Sequence, residues 1–450
     1  MSRIKAAVNK ALGDATLGNA VLKSCELSIS HRNAVIAELD DFEAVRQQAR
    51  DVRQSALDNL EPLIDRFADN FRAAGGNVHQ AADDHQACDI VLDLLQRRNA
   101  KQGVKSKSMV AEEIGLGEAL VQAGIDAIES DLGEFIVQLA GEPPSHITAP
   151  ALHRSRQSIG QLLSTKLKFP YTDDPALLAR QARGHLRKRF LSADFGIAGA
   201  NFFVADSGHL VLVENEGNGR MGFTTPPLFI AVTGVEKAVG SLPELSPLLR
   251  VLARSATGQR FSTYTSLIRP TRSGEDGPRE MHVVLVDNGR REALLDPSLR
   301  EMLLCIRCGA CLNICPVYKS VGGHAYKSVY PGPMGAIWSN LVGDSSTEKA
   351  DLPDLSTLCG ACRDVCPVKI DIPRMLLELR ARRPKGAIET AAAEAWKWMM
   401  SAPRRYETGG KIARAAGRLL PNGLPGGWLG GGGPAFRDEM IDRKEDSSDE

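Results

Sequence analysis

Three features of the 450-residue sequence imply an α/β protein: helical periodicity at the start, short β-rich runs between helices in the middle, and a cysteine-rich segment near the end. Over residues 1–100, Leu57, Leu60, Leu63, Ile64 and Phe67 recur at helical spacing between charged residues. From about Gly75 the pattern alternates. A short strand is expected around Val78, a helix over Asp89 to Leu95, and another strand over Gly103 to Ser106. Gly133 to Ala140 reads as a helix stopped by Gly141 and Pro143-Pro144. Asn201 to Ala205 and Leu210 to Glu214 are β-rich and separated by Asp206-Ser207-Gly208-His209, a hairpin pattern. Leu228 to Thr233 reads as a buried strand, and Met281 to Val286 runs into the turn Asp287-Asn288-Gly289.

Strands alternating with helices build a layered α/β domain. The expected organisation is a helical region over 1–69, the α/β domain over 70–295, the cysteine-rich domain over 296–385 and a tail over 386–450. Within that tail, helix gives way to Gly430 to Gly433 and an acidic, disordered end.

Bulk properties narrow the function. Lys+Arg and Asp+Glu both number 55, so no global basic field marks a nucleic-acid binder. No apolar run approaches the ~20 residues that cross a bilayer, and the N-terminus lacks the apolar core of an export signal. Of nine cysteines, seven lie between 305 and 366 and only Cys25 and Cys88 lie outside. An odd cluster without an export signal favours metal binding over disulfides and points to a reducing, cytoplasmic setting.

Cys305-x2-Cys308-x2-Cys311-x3-Cys315-Pro316 matches the bacterial ferredoxin run, and Cys359-x2-Cys362-x3-Cys366-Pro367 forms a second. Three cysteines at this spacing wrap a tight loop around one cubane, while the fourth, followed by Pro, reaches the other cluster. By that crossed rule Cys366 joins Cys305, Cys308 and Cys311 on the first cluster. Cys315 joins Cys359 and Cys362 on the second. The second set has three cysteines, and Ser356 occupies the position of the fourth. Either Ser356 ligates through oxygen, or another ligand serves, or the cluster is incomplete. Gly309 lets backbone N–H groups approach the sulfurs and tune their potential. A zinc ribbon would leave three cysteines idle and would not explain the prolines. A purely structural cluster would not need a neighbour. Two adjacent clusters suit electron transfer.

Beyond the cysteines, several segments resemble the lactate utilisation protein B family. They are Lys105 to Val110 with Glu112-Glu113, Leu139 to His146, Gly196 to Asn201, Val211 to Gly217, Gly322 to Tyr326 and Tyr330 to Pro333, together with the cysteine pattern that includes Ser356. The resemblance covers roughly residues 45–380. It departs at Ala200 and Glu214 and is weakest in the tail. It implies a LUD-type α/β domain, similar to the sugar-phosphate isomerase and CoA-transferase fold, followed by an α-helical bacterial two-cluster ferredoxin-like domain. It implies two 4Fe-4S clusters and an electron-transfer subunit, not catalytic alone, of a three-protein system oxidising L-lactate to pyruvate. One partner would carry paired-cysteine CCG motifs, which this chain lacks. A transmembrane segment is not expected, so any contact with the respiratory chain would be peripheral.

Other residues invite alternatives. By analogy with the CoA-transferase fold, Glu214 or Glu216 is a candidate nucleophile, with Asn218 or Arg220 positioning a substrate. A strand-end turn explains the same residues, and the absence of a nucleotide-binding signature favours the turn. Lys105, Lys107 and Ser108 could bind an anion or be a solvated basic turn. His146 is a candidate ligand or base, with a hydrogen-bonded loop histidine the favoured reading, and His324 and Tyr326 read as packing over a cluster. Three functions remain in play: lactate relay, relay for another 2-hydroxy acid such as glycolate, and a LUD-domain enzyme on a small acyl or phosphorylated substrate with redox-sensing clusters.

Overall fold

The computed structural model describes residues 3–270, 276–342, 349–383 and 387–409. The chain divides into two compact units, Met1–Arg382 and Arg383–Glu450. In the second, the helix Ala387–Met400 lies where a helical start to the tail is expected, and the Gly430 to Gly433 stretch and acidic end lie outside the described residues.

The first unit contains strands β1 (Asn77–Ala81), β2 (Gln102–Lys105), β3 (Asp126–Glu129), β4 (Phe195–Ala198), β5 (Phe202–Val204), β6 (His209–Glu214), β7 (Leu228–Gly234), β8 (Ala238–Val239), β9 (Tyr264–Ile268) and β10 (Glu280–Val286). Six form a sheet in the order β1-β10-β7-β4-β2-β3, and every pairing in it is parallel. The apolar runs of β7 and β10 explain this placement, since a parallel strand covered on both faces needs side chains of one kind throughout. Alternate residues then serve opposite faces. Ile230, Val232, Val284 and Val286 meet the helix Asp84–Arg97, while Phe229, Ala231, Val283 and Leu285 meet the helix Leu60–Ala73.

β5 and β6 form the expected antiparallel hairpin, extended by β8 and β9 into a four-stranded sheet. Phe203 and Leu210 face the large sheet's core, whereas Phe202, Val204 and Val211 face the cysteine-rich segment. The small sheet thus couples the two.

The strands expected around Val78, Gly103, Asn201, Leu210, Leu228 and Met281 are all present. β3, β4, β8 and β9 were not recognisable. β4 contains Gly196, which reads as a strand breaker in isolation. In the fold it is required, because a Cβ there would lie 1.9 Å from the Gly222 carbonyl oxygen.

The helices Ala15–Ala37 and Phe42–Asp58 pack against the cysteine-bearing segment through Val21, Cys25, Val45, Ala49 and Leu57. Arg46, Arg50 and Arg53, spaced four and three residues apart, share one helix face. Each donates to carbonyls around the cysteine loops: Arg46 to Cys366, Arg50 to Lys369 and Arg53 to Leu303.

Candidate metal centre

The two cysteine runs fold as near-copies. Arg307 (φ 60°) and Gly309 (φ 78°) flank Cys308, and Leu358 (φ 57°) and Gly360 (φ 88°) flank Cys359. Left-handed residues on both sides of a cysteine coil the backbone so that N–H groups turn inward, a favourable setting for anionic sulfur. The Arg307 N–H donates to Cys305 Sγ at 3.5 Å, and at the matching point the Leu358 N–H donates to Ser356 Oγ at 3.2 Å. Ser356 therefore occupies the loop position that Cys305 occupies in the first run.

Cys305, Cys308 and Cys311 line one cavity together with Cys366 from the second run. The cavity, about 540 Å³ with the solvent at its mouth included, is otherwise walled mainly by apolar groups, among them Leu312, Tyr330, Met334, Trp338 and Ile370. Among the described residues, no three His, Cys, Asp or Glu side chains close in far enough to hold a lone metal ion. A ring of thiols around a space suits a larger, soft-ligand iron–sulfur core. Burial, with the neighbouring thiols Cys366 and Cys305, pushes Cys308 far up. Burial raises Cys366 to about 11, opposed by N–H donation from Ile370 and Val368.

Cys315, Cys359 and Cys362 form a second set. Burial and the charges of Cys315 and Cys359 raise Cys362 to about 12. Burial also raises Cys315, opposed by N–H donation from Tyr318 and Val317, with Cys359 adding to the rise. Thiols in this state need the positive charge of bound iron to ionise, so loading would release protons. Cys25 is a buried free thiol packed near Cys315, whereas Cys88 lies in a separate core, where it donates to the Ile114 carbonyl.

A buried polar network supports the first cavity. Arg290 donates from Nη1 and Nη2 to the two Glu113 oxygens at 2.8 and 2.9 Å, and from Nε to Glu236 at 2.6 Å. Glu113 also accepts from Tyr330 Oη at 2.6 Å and Trp338 Nε1 at 3.2 Å, both cavity-wall residues. Burial alone would raise the Glu113 carboxyl, but Arg290 brings it down to about 2. Arg307 reaches Glu236 at 3.3 Å and lies 3.4 Å from the Trp338 ring centre, a cation–π contact. Arg53, 1% exposed, donates to Glu236 and Ala238 carbonyls on one side and Leu303 and Leu304 on the other. It ties the turn after β7 to the residues just before Cys305.

The remaining candidates separate. Lys105 is buried between Glu129 (2.5 Å) and Glu112 (2.7 Å), so it is a structural ion pair. Ser108 caps the following short helix through the Ala111 N–H, and the buried Lys107 ammonium lies 3.7 Å from Glu134 without a hydrogen bond. Glu214 accepts the Gly219 and Arg220 N–H groups at 2.7 and 2.8 Å, the geometry of a turn closing a strand. Asn218 lines a second cavity, and Arg220 lies over the Tyr264 ring. His146 Nε2 donates to Asn313 at 3.1 Å while Nδ1 accepts two N–H groups, and burial lowers it to about 3, as a loop histidine requires. Tyr326 is buried beside Cys315 and Cys311. His324 is turned towards the Pro143 carbonyl at 2.8 Å and the His153 ring. Arg53, Glu113, Glu236, Lys237, Arg290 and Arg307 were not recognised from sequence; the i, i+4, i+7 arginines were the one legible signal.

Fold and site together define an α/β LUD-domain protein carrying an iron–sulfur segment. The LUD domain family matches residues 64–286, and the 4Fe-4S dicluster domain family matches residues 301–370. "Lactate utilization protein B" of Bacillus subtilis (strain 168) is 42% identical over 422 residues, covering 92% of this chain and 87% of that protein. Its namesakes in Bacillus velezensis (42% over 420 residues, 92% and 88% covered) and Bacillus cytotoxicus (41% over 417 residues, 91% and 87%) are similarly close. A solved DUF162 family protein from Deinococcus radiodurans aligns at TM-score 0.30 and 14% identity, over 50% of this chain and 98% of that one. The chain belongs to the lactate utilization protein B family. Among the described residues no helix is long and apolar enough to cross a membrane.

Proposed function

We propose that this chain is the electron-relay subunit of a system that oxidises L-lactate to pyruvate, and that it holds two 4Fe-4S clusters. The observation that carries the reading is the convergence of four thiols from two separate cysteine runs on one apolar cavity. Cys305, Cys308, Cys311 and Cys366 would hold the first cluster. Cys315, Cys359 and Cys362 would hold the second, with Ser356 as candidate fourth ligand. Bound there, the clusters would supply reversible one-electron transfer. The chain's own groups do the rest. The N–H donors at Arg307, Ala310, Val317 and Val368 disperse negative charge on sulfur, and the wall of Leu312, Met334 and Ile370 excludes water.

The relatives' shared name supports a place in lactate utilisation. In this reading the chain works in the cytoplasm, is not catalytic alone, and exchanges electrons with other subunits, one of them bearing CCG motifs. Anaerobic purification should give about eight irons per chain, as two cubanes require. With partners and lactate added, an EPR signal of reduced clusters should appear. Stoichiometric zinc, or clusters left oxidised by lactate in the presence of the partners, would overturn the proposal.

A further inference from the structure

A second cavity, about 1260 Å³ with the solvent at its mouth included, lies beside the first and shares Ile147 and Arg307 with it. Its polar groups come from the loops that leave the carboxyl ends of adjacent parallel strands: Lys107 after β2, Asn201 after β4 and Lys237 after β7. Ligands of open parallel sheets bind at that edge, where loops converge and strands present no side chains of their own.

Lys107 pairs with Glu134 at 3.7 Å, but the other two cations, Lys237 and Arg307, are not fully partnered within the protein. Lys237 is 8% exposed, yet its ammonium makes no hydrogen bond or ion pair among the described residues. Arg307 spends one nitrogen on Glu236, while its Nε and Nη1 are buried without a partner. Asn201 uses its carbonyl oxygen on the Val213 N–H, and its amide N–H groups bond to nothing among the described residues. The two buried, unpaired Arg307 nitrogens carry a desolvation cost that an anion would remove. The lining also carries Asp131, Glu214 and Glu216. Those carboxylates oppose a phosphate dianion but can accept hydrogen bonds from hydroxyls.

We propose that this cavity binds a small monocarboxylate bearing hydroxyl or carbonyl groups, its carboxylate held by Lys237 and Arg307 and its remaining oxygens facing Asn201 and the Glu214 wall. The site stands whether or not the clusters relay electrons, because it is built by the α/β domain and one residue of the cysteine loop. The competing role for Lys237 is a fixed counter-charge for the neighbouring cysteine site, in which no ligand binds.

The test uses the full cluster-loaded chain and isothermal calorimetry with L-lactate, pyruvate, gluconate and inorganic phosphate. At least one carboxylate should bind saturably and phosphate should not. Lys237→Met should weaken that binding at least ~10-fold, as loss of a charge-assisted bond requires, and Lys237→Arg should restore most of it. In the wild-type chain the bound carboxylate should also protect Lys237, but not exposed Lys101, from acetic anhydride as read by mass spectrometry. This second measurement decides the matter if the Met variant does not fold. No saturable carboxylate binding, phosphate binding alone, binding untouched by Lys237→Met, or Lys237 acetylated equally with and without ligand would each overturn the proposal.

Discussion

Replacing Glu113 by Gln probes the join between the α/β domain and the cysteine cavity. Glu113 takes two bonds from Arg290 and one each from Tyr330, Trp338 and Asn288, and Arg290 is fully buried. Gln keeps the shape but removes the charge. Lowering a carboxyl from 4.5 to about 2 on folding is worth about 3 kcal/mol, at about 1.4 kcal/mol per pH unit. The full burial of the pair means solvent screening does not reduce that figure, and breaking a buried pair costs about 3–5 kcal/mol by experience elsewhere. For a unit of this size, with an unfolding entropy of about 2.1 cal/mol/K per residue, 3 kcal/mol lowers Tm by about 4 °C. Because folding depresses this pKa, the stabilisation is complete above pH 4.5 and fades as pH falls towards about 2. The Tm gap between wild type and Glu113→Gln, read by differential scanning fluorimetry, should therefore be equal at pH 6 and pH 8. A gap under ~1 °C, or one that changes between those pH values, refutes the reasoning.

Other perturbations reach different parts of the molecule. Arg53→Met should strand carbonyls on both sides of the joint, costing at least ~3 kcal/mol and lowering iron content; normal iron and an unchanged Tm would contradict the tie. Ser356→Cys, replacing oxygen by a softer thiolate, should raise one cluster's midpoint potential in an EPR titration, and Ser356→Ala should destabilise that cluster. Both clusters unchanged in both variants would exclude Ser356 as a ligand. Gly196→Ala places a Cβ 1.9 Å from the Gly222 oxygen and should cost on the order of 3 kcal/mol, visible as reduced folded yield. A well-folded variant with wild-type Tm would show that β4 can shift away.

The cysteine segment was legible because its chemistry is local. Spacing of two or three residues dictates which thiols can wrap one core, and Pro316 and Pro367 mark where each loop must end. The strong strands were legible for a similar reason, since β7 and β10 are dominated by β-branched and other apolar residues. Even Ser356 showed by counting alone, and the fold added only its matching hydrogen bond. What sequence could not reveal depends on residues far apart in the chain. Lys237 looks like any lysine of a polar turn until Arg53, from the N-terminal helix, pins that turn against the residues before Cys305. Glu113 and Arg290 are ordinary helix residues until burial removes water and leaves each the other's compensation. Lys105 read equally as an anion ligand or a solvated basic turn, but tertiary packing buried it and supplied its anions from Glu112 and Glu129. Local spacing determined where iron–sulfur chemistry would sit; desolvation and long-range pairing decided which charges are spent on the fold and which face a cavity.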